Sequence, residues 1–221
     1  LPGLPGYELF AKNEPSRTVS GDLYRIQERV GGECLFMIAD VSGKGIAASL
    51  LTASLEALSA GPIEMGRTPQ EICARLSRRM HQRTGAERFA TAFIAALHVP
   101  SGRVRYANAG HNPGLCLRRS GKVEELFATG IPLGMLPAFD YDAAEITLEP
   151  GDSLFLYTDG VTEVLNQAGE EYGSDRLREL CARHRADSPR ELTDAIDKDS
   201  EVFAGSVPYA DDRTIVALRR T

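Results

Sequence analysis

Four aspartates stand in short, turn-bounded signatures spread over nearly the whole chain. They are Asp22 in Ser20-Gly21-Asp22, Asp40 in Ala39-Asp40-Val41-Ser42-Gly43-Lys44-Gly45, Asp159 in Tyr157-Thr158-Asp159-Gly160, and the pair Asp211-Asp212 before Arg213-Thr214. Each lies at the edge of an apolar, strand-like run, where a carboxylate points into a loop and can help to build a site. Carboxylates gathered in one place form an all-oxygen donor set, which suits Mg²⁺ or Mn²⁺ rather than zinc. A pair of such ions acidifies a water and offsets charge on phosphoryl oxygens, so the pattern predicts a metal-dependent hydrolase. No protein nucleophile competes with that reading. There is no G-x-S-x-G elbow and no G-x-x-x-x-G-K-[ST] loop. Gly43 and Gly45 flank Lys44 ahead of a helix. That arrangement fits a phosphate contact through Gly43 and Lys44, and it fits equally a tight turn that positions Asp40.

The elements that must position these residues are legible in outline. Tyr7 to Ala11 and Asp22 to Gln27 read as strands, and Cys34 to Ala39 reads as a buried central strand that ends at Asp40. Ala47, Leu50, Leu51, Ser54, Leu55 and Leu58 then recur at helical spacing and predict an inward face, stopped at Gly61-Pro62. Thr68-Pro69 with Glu71, and Ser188-Pro189 with Glu191, are two helix starts with capping boxes. Ile72, Leu76 and Met80 form the stripe of the first, and its arginines decorate the remainder. Strands follow over 89–99 and 104–107, around Ser120-Gly121, and over 144–148 and 153–157. A helix near Ser174, the helix from Pro189 and a last strand at 214–218 complete the order. No regular βαβ alternation is present, so mainly antiparallel sheets with outer helices are expected.

The 221 residues fit one large domain, with 43% apolar and 25% charged residues. A net charge of −6 argues against a nucleic-acid binder. The apolar stretches carry charges well before the roughly 18 residues of a membrane span, so no membrane contact is expected. Cys34, Cys73, Cys116 and Cys181 lie far apart without a C-x-x-C pair and read as buried thiols of a cytoplasmic protein. Leu1 to Gly6 is linker-like, leaving residues 7–221 as the domain.

These segments, with Tyr106 to Pro113 and Gly151 to Val161, occur in an order that resembles the metal-dependent protein phosphatase (PPM) family, in its bacterial SpoIIE/RsbU branch. The resemblance covers essentially the whole chain. It implies an α+β fold, an α-β-β-α sandwich of two mainly antiparallel sheets flanked by helices. It implies hydrolysis of phosphoserine or phosphothreonine with two or more Mn²⁺ or Mg²⁺ ions. By motif, Asp22 and Asp40 would share a metal pair with the Val41 carbonyl, and Asp159 would bind from the other sheet. Asp211 would be the last ligand, with Asp212 as the alternative. The implied partner is a phosphorylated STAS-type anti-anti-sigma protein in a partner-switching circuit. An upstream sensor domain is expected in a longer regulatory protein, with homodimerisation as a second mode of control. Three positions depart from relatives: Ser20 replaces a glycine, Arg25 replaces a later acid, and Ser42 stands where eukaryotic relatives have a histidine. No arginine equivalent to the phosphate-gripping one is evident, and His111 reads as structural. A phosphoprotein-binding pseudophosphatase is the competing expectation.

Overall fold

Strand alternation divides the apolar residues into three layers. In β3 (Glu33–Val41), Leu35, Met37 and Ala39 face one way, and Cys34, Phe36 and Ile38 face the other. The first set meets the two helices α1 (Ile46–Glu64) and α2 (Pro69–Thr84). The second set meets Leu154 and Leu156 of β9 (Ser153–Tyr157) and Val216 and Leu218 of β10 (Arg213–Arg220), so it fills the space between two sheets. On the far side, Phe155, Ile215 and Ala217 pack against α3 (Ser174–Arg183) and α4 (Pro189–Ala204). The computed structural model describes residues 1–16, 18–43, 45–85 and 87–221.

The first sheet has the order β2-β3-β4-β5-β8, where β2 is Asp22–Arg29, β4 Ala90–His98, β5 Arg103–Ala109 and β8 Ala144–Thr147. The second has the order β1-β10-β9-β6-β7, with β1 Tyr7–Glu14, β6 Gly114–Leu117 and β7 Val123–Leu126. Every strand pairing is antiparallel. The expected α-β-β-α sandwich is therefore the observed fold. All four cysteines are buried and unpaired. Both capping carboxylates reach back as expected: Thr68 N–H donates to Glu71 at 2.9 Å and Ser188 N–H to Glu191 at 2.9 Å.

Helix α1 differs from its expected form in two ways. It runs through Gly61 and Pro62 to Glu64. An interior proline removes a hydrogen bond and costs about 3 kcal/mol. Burial of Pro62 and Ile63 against the sheet offsets that cost. Its inward face is also rotated, to Ala48, Thr52, Leu55, Ser59 and Ile63. Leu50 stays 66% exposed and Ile46 75%. Small residues win the inward face because the helix must come close to the Gly21 turn, where Thr52 Oγ1 donates to Gly21 O at 2.8 Å. By length and composition α1 reaches the size of a membrane span, at 19 residues, yet it packs here on α2 and the first sheet. In the linker-like segment, Leu4 is buried in the inter-sheet core, and Gly6 O accepts from Thr221 N–H at 2.9 Å.

Candidate metal centre

At one end of the inter-sheet core the apolar alternation gives way to polar residues of the same parity. Ile38 is followed by Asp40, Leu156 by Thr158, and Val216 is preceded by Thr214. β2 begins at Asp22, which pairs directly opposite Asp40 in the β2–β3 register. Two carboxylates in that relation lie with their Cβ atoms about 5 Å apart and repel. Asp22 is 5% exposed, and its Oδ2 accepts from the hydroxyls of Thr158 and Thr214, both at 2.7 Å. Thr158 Oγ1 in turn accepts from Thr214 N–H at 2.9 Å. One oxygen of Asp22 thus clasps the second sheet, and the other is left to the cleft.

Burial pushes Asp22 up to about 8; the two threonine hydroxyls pull it down, and Asp40 and Asp212 push it further up. Burial also pushes Asp40 up to about 7, aided by the charges of Asp159, Asp211 and Asp212. That influence brings Asp159, the first residue of a 3-10 turn after β9, to the same site. Around Gly21 the cleft narrows. A side-chain carbon there would lie 3.6 Å from Val41 O and 3.8 Å from both Asp40 Oδ1 and Asp212 Oδ2. Asp40, Asp211, Asp212 and Gly43 line this small cleft together.

The paired aspartates at the end have different surroundings. Asp212 Oδ1 accepts from Ser16 N–H at 2.7 Å and Ser16 Oγ at 3.0 Å, and Oδ2 accepts from Gly21 N–H at 2.6 Å. Partial burial raises its pKa, but these donors outweigh it and hold the carboxyl below the usual range. Asp212 therefore braces the turn before β2 with both oxygens. Asp211 accepts a local bond from Asp212 N–H at 2.9 Å. Gly160 is required by the close approach of these segments: a Cβ there would sit 2.0 Å from Asp212 O.

The donors are carboxylates and a carbonyl, which match a hard dication. Among the described residues no three acidic, histidine or cysteine side chains already close on a single point. Burial and neighbouring carboxylates raise Asp22 and Asp40, and a bound dication would relieve both.

Ser42 is tied to the start of β4, donating its N–H to Phe89 O at 2.9 Å and accepting from Phe89 N–H on Oγ at 3.1 Å. Lys44 lies outside the described residues. A cation missing from the sequence reading appears beside them: Arg88. Its Nη1 donates to Ser42 O at 3.4 Å and fills the space over Gly43, 2.5 Å from where a Cβ would be. Among the described residues it pairs with no carboxylate within 4 Å. The register carries the signal, because Val41 pairs with Ala90 and the residues just beyond must continue side by side. His111 sits near but inside: Nδ1 pairs with Thr91 Oγ1 at 2.7 Å, and its N–H donates to Asn108 Oδ1 at 2.8 Å. A second cavity, of about 650 Å³, lies at the opposite end of the second sheet, far from the aspartates.

Two antiparallel sheets between helix pairs, with aspartates from both sheets at one end, define the PP2C-type phosphatase fold. The pattern of the family described as Stage II sporulation protein E (SpoIIE) matches residues 31–221, and the chain belongs to that family. It is 31% identical over 224 residues to the phosphoserine phosphatase RsbU of Bacillus subtilis, covering all of this chain and 65% of that protein. It is 34% identical over 155 residues to the phosphoserine phosphatase RsbP of the same organism, covering 67% of this chain and 38% of RsbP. The chain thus spans less than two thirds of these curated relatives. The SiaA-PP2C domain of Pseudomonas aeruginosa superposes with a TM-score of 0.87 at 25% identity, over 96% of this chain and 85% of that one.

Proposed function

We propose that this domain is a Mn²⁺- or Mg²⁺-dependent protein phosphatase that hydrolyses phosphoserine or phosphothreonine. The observation that carries the reading is the direct opposition of two buried carboxylates, Asp22 and Asp40: burial first raises both, Asp40 and Asp212 push Asp22 further up, and Asp159, Asp211 and Asp212 push Asp40 further up. Asp40 would be the central ligand. Asp22 would offer its unclasped oxygen, Val41 its carbonyl, and Asp159 and Asp211 would complete the set from the second sheet. Asp212 is the poorer ligand, since both its oxygens already accept from protein donors. When bound, such ions acidify a water and offset phosphoryl charge. Arg88, over Gly43 at the cleft rim, is placed to hold a phosphoryl oxygen, alongside the proposed contacts of Gly43 and Lys44.

The substrate proposed is a phosphorylated STAS-type anti-anti-sigma protein of a cytoplasmic partner-switching pathway. Support comes from membership of the family and from two relatives named phosphoserine phosphatases. An upstream sensor domain would join through residues 1–6, and pairing of two copies would add a further level of control.

The test is hydrolysis of p-nitrophenyl phosphate and of a phosphorylated STAS protein with Mn²⁺, with EDTA, and in Asp159→Asn. Manganese-dependent turnover that the variant loses is the expected result. Phosphoprotein binding without turnover under any condition would mark a binding module instead and sink the enzymatic reading.

A further inference from the structure

The cavity of about 650 Å³ at the other end of the second sheet gathers four arginines: Arg119, Arg185, Arg219 and Arg220. It is remote from the aspartates. β10 carries Asp211 and Asp212 before its first residue and Arg219 and Arg220 at its last turn of chain, about 23 Å away at some 3.3 Å per strand residue. Glu8 is the one acidic side chain among the lining residues. Among the described residues none of the four guanidiniums makes an ion pair within 4 Å. The contrast with the adjacent Arg118 is direct, because that side chain is neutralised by Glu124 at 2.7 Å and Asp152 at 2.8 Å. Arg219 and Arg220 leave opposite faces of β10 at the cavity edge, and Arg219 stands directly opposite Glu8 in the β1–β10 register, so in a chain of net charge −6 the lining of this cavity is strongly positive with one acid set against it.

Three of the four guanidiniums are also held in place by carbonyls. Arg220 donates to Ser101 O at 2.9 Å, Leu148 O at 2.6 Å and Pro100 O at 3.1 Å, and Arg219 donates to Ala186 O and to Asp187 O at 3.0 Å. Carbonyl acceptors fix a guanidinium without cancelling its charge. Arg119 lies over Gly151, where a Cβ would come 3.0 Å from its Cδ and where φ is +91°. The Arg119 main chain is pinned by Asp152, which accepts its N–H at 2.8 Å. Arg185 passes Gly121 and donates to Ala182 O at 3.1 Å. Gly151 thus provides room for Arg119.

We propose that this cavity is a binding site for a small polyanion carrying a chain of two or more phosphoryl groups. Fixed guanidinium forks match phosphoryl oxygens in charge and in planar geometry. The volume falls in the range of small-ligand sites. Among the described residues no aromatic side chain lines it, so the phosphoryl chain rather than a stacked base is the recognised part.

The test uses the whole chain in EDTA, so that no metal at the acidic end can hold phosphate. Inorganic tripolyphosphate, ATP, inorganic phosphate and a polyglutamate peptide are titrated by calorimetry, with melting temperature read in parallel. Tripolyphosphate is expected to bind one to one, raise the melting temperature and weaken with salt, and inorganic phosphate to bind far more weakly. Arg119→Gln with Arg185→Gln should weaken tripolyphosphate by about tenfold or more, the scale of losing a charge-assisted hydrogen bond. Glu8→Gln should tighten it, a gain that no folding defect produces. Equal affinity for ATP identifies a nucleotide's phosphates as a sufficient source, and weaker ATP points to the inorganic chain. Absence of tripolyphosphate binding, or binding unchanged in both variants, overturns the proposal. So does preference for polyglutamate, which would mark a protein-docking face.

Discussion

Gly160→Ala tests the meeting of the two sheets at the acidic end. A methyl there would stand 2.0 Å from Asp212 O and 2.9 Å from Asp212 C, whereas real contacts essentially never fall below 3.0 Å. Something must move by about 1 Å, and neither side can move cheaply. Asp212 is held by Ser16 and Gly21, while Thr158 N–H donates to Thr214 O at 3.0 Å and Thr214 N–H donates back to Thr158 Oγ1. Overpacking of this kind costs about 1–3 kcal/mol. For a domain of this size each kcal/mol moves the melting temperature by roughly 2–4 °C, so a fall of about 2–12 °C is expected. The same displacement separates Asp159 from Asp211, and a misplacement of about 1 Å at reacting groups costs on the order of 100-fold in rate. The assay pairs thermal melting with manganese-dependent turnover. Gly61→Ala is the comparison, because that helical glycine has nothing within 4 Å of its Cβ position. It should gain about 1 kcal/mol and keep its activity. A Gly160→Ala protein that melts and turns over like the parent would refute the close approach.

Three other outcomes follow from the same geometry. Asp40→Asn removes the charge facing Asp22, Asp159 and Asp211, so above pH 8 in EDTA it should melt higher than the parent, and Mn²⁺ should no longer raise its melting point; a preserved manganese shift would count against Asp40 as central ligand. Arg88→Gln should raise KM for a phosphopeptide by about tenfold, the worth of a hydrogen bond to a charged group, while the manganese midpoint stays put; a shifted midpoint would mean that Arg88 only holds the Gly43 loop. Burial pushes His111 down from 6.5 to about 4, so its neutral form is favoured in the folded state. Its contribution is complete above 6.5 and is lost as pH falls towards 4, a change on the order of 3 kcal/mol. Denaturation of His111→Gln should show a stability gap to the parent that closes over that interval, and a gap independent of pH would remove the histidine as its cause.

The layers were legible because alternation is a local property. Cys34, Phe36 and Ile38 announce a face, and Asp40 continues it by parity alone. The two capped helices were legible for the same reason, since Thr68-Pro69 and Ser188-Pro189 act within one turn. The α1 face was legible only in part, since Leu55 is buried and Leu51 and Leu58 pack against the same core. Leu50 and Ile46 have the hydropathy of core residues, but the approach of α1 to the Gly21 turn selects Ala48, Thr52 and Ser59 instead. Arg88 was missed because its neighbour Gly43 is set by the β3–β4 register, which no short window contains. The distinction between Asp211 and Asp212 likewise depends on Ser16 and Gly21, nearly the full length of the chain away.

The clasp of Asp22 on Thr158 and Thr214 gives one carboxylate two duties, one per oxygen. Substitutions at these three positions are therefore not independent trials. Asparagine at 22 can offer its amide oxygen to the hydroxyls yet brings no charge to the cleft, so such a chain can fold and be silent. Valine at 158 or 214 keeps the charge but opens the seam, so that chain loses its architecture first. Serine is the one exchange at 158 or 214 that preserves both duties. A library scored only for soluble expression would pass the first lesion and reject the second, and would misjudge which of the three residues the chemistry depends on.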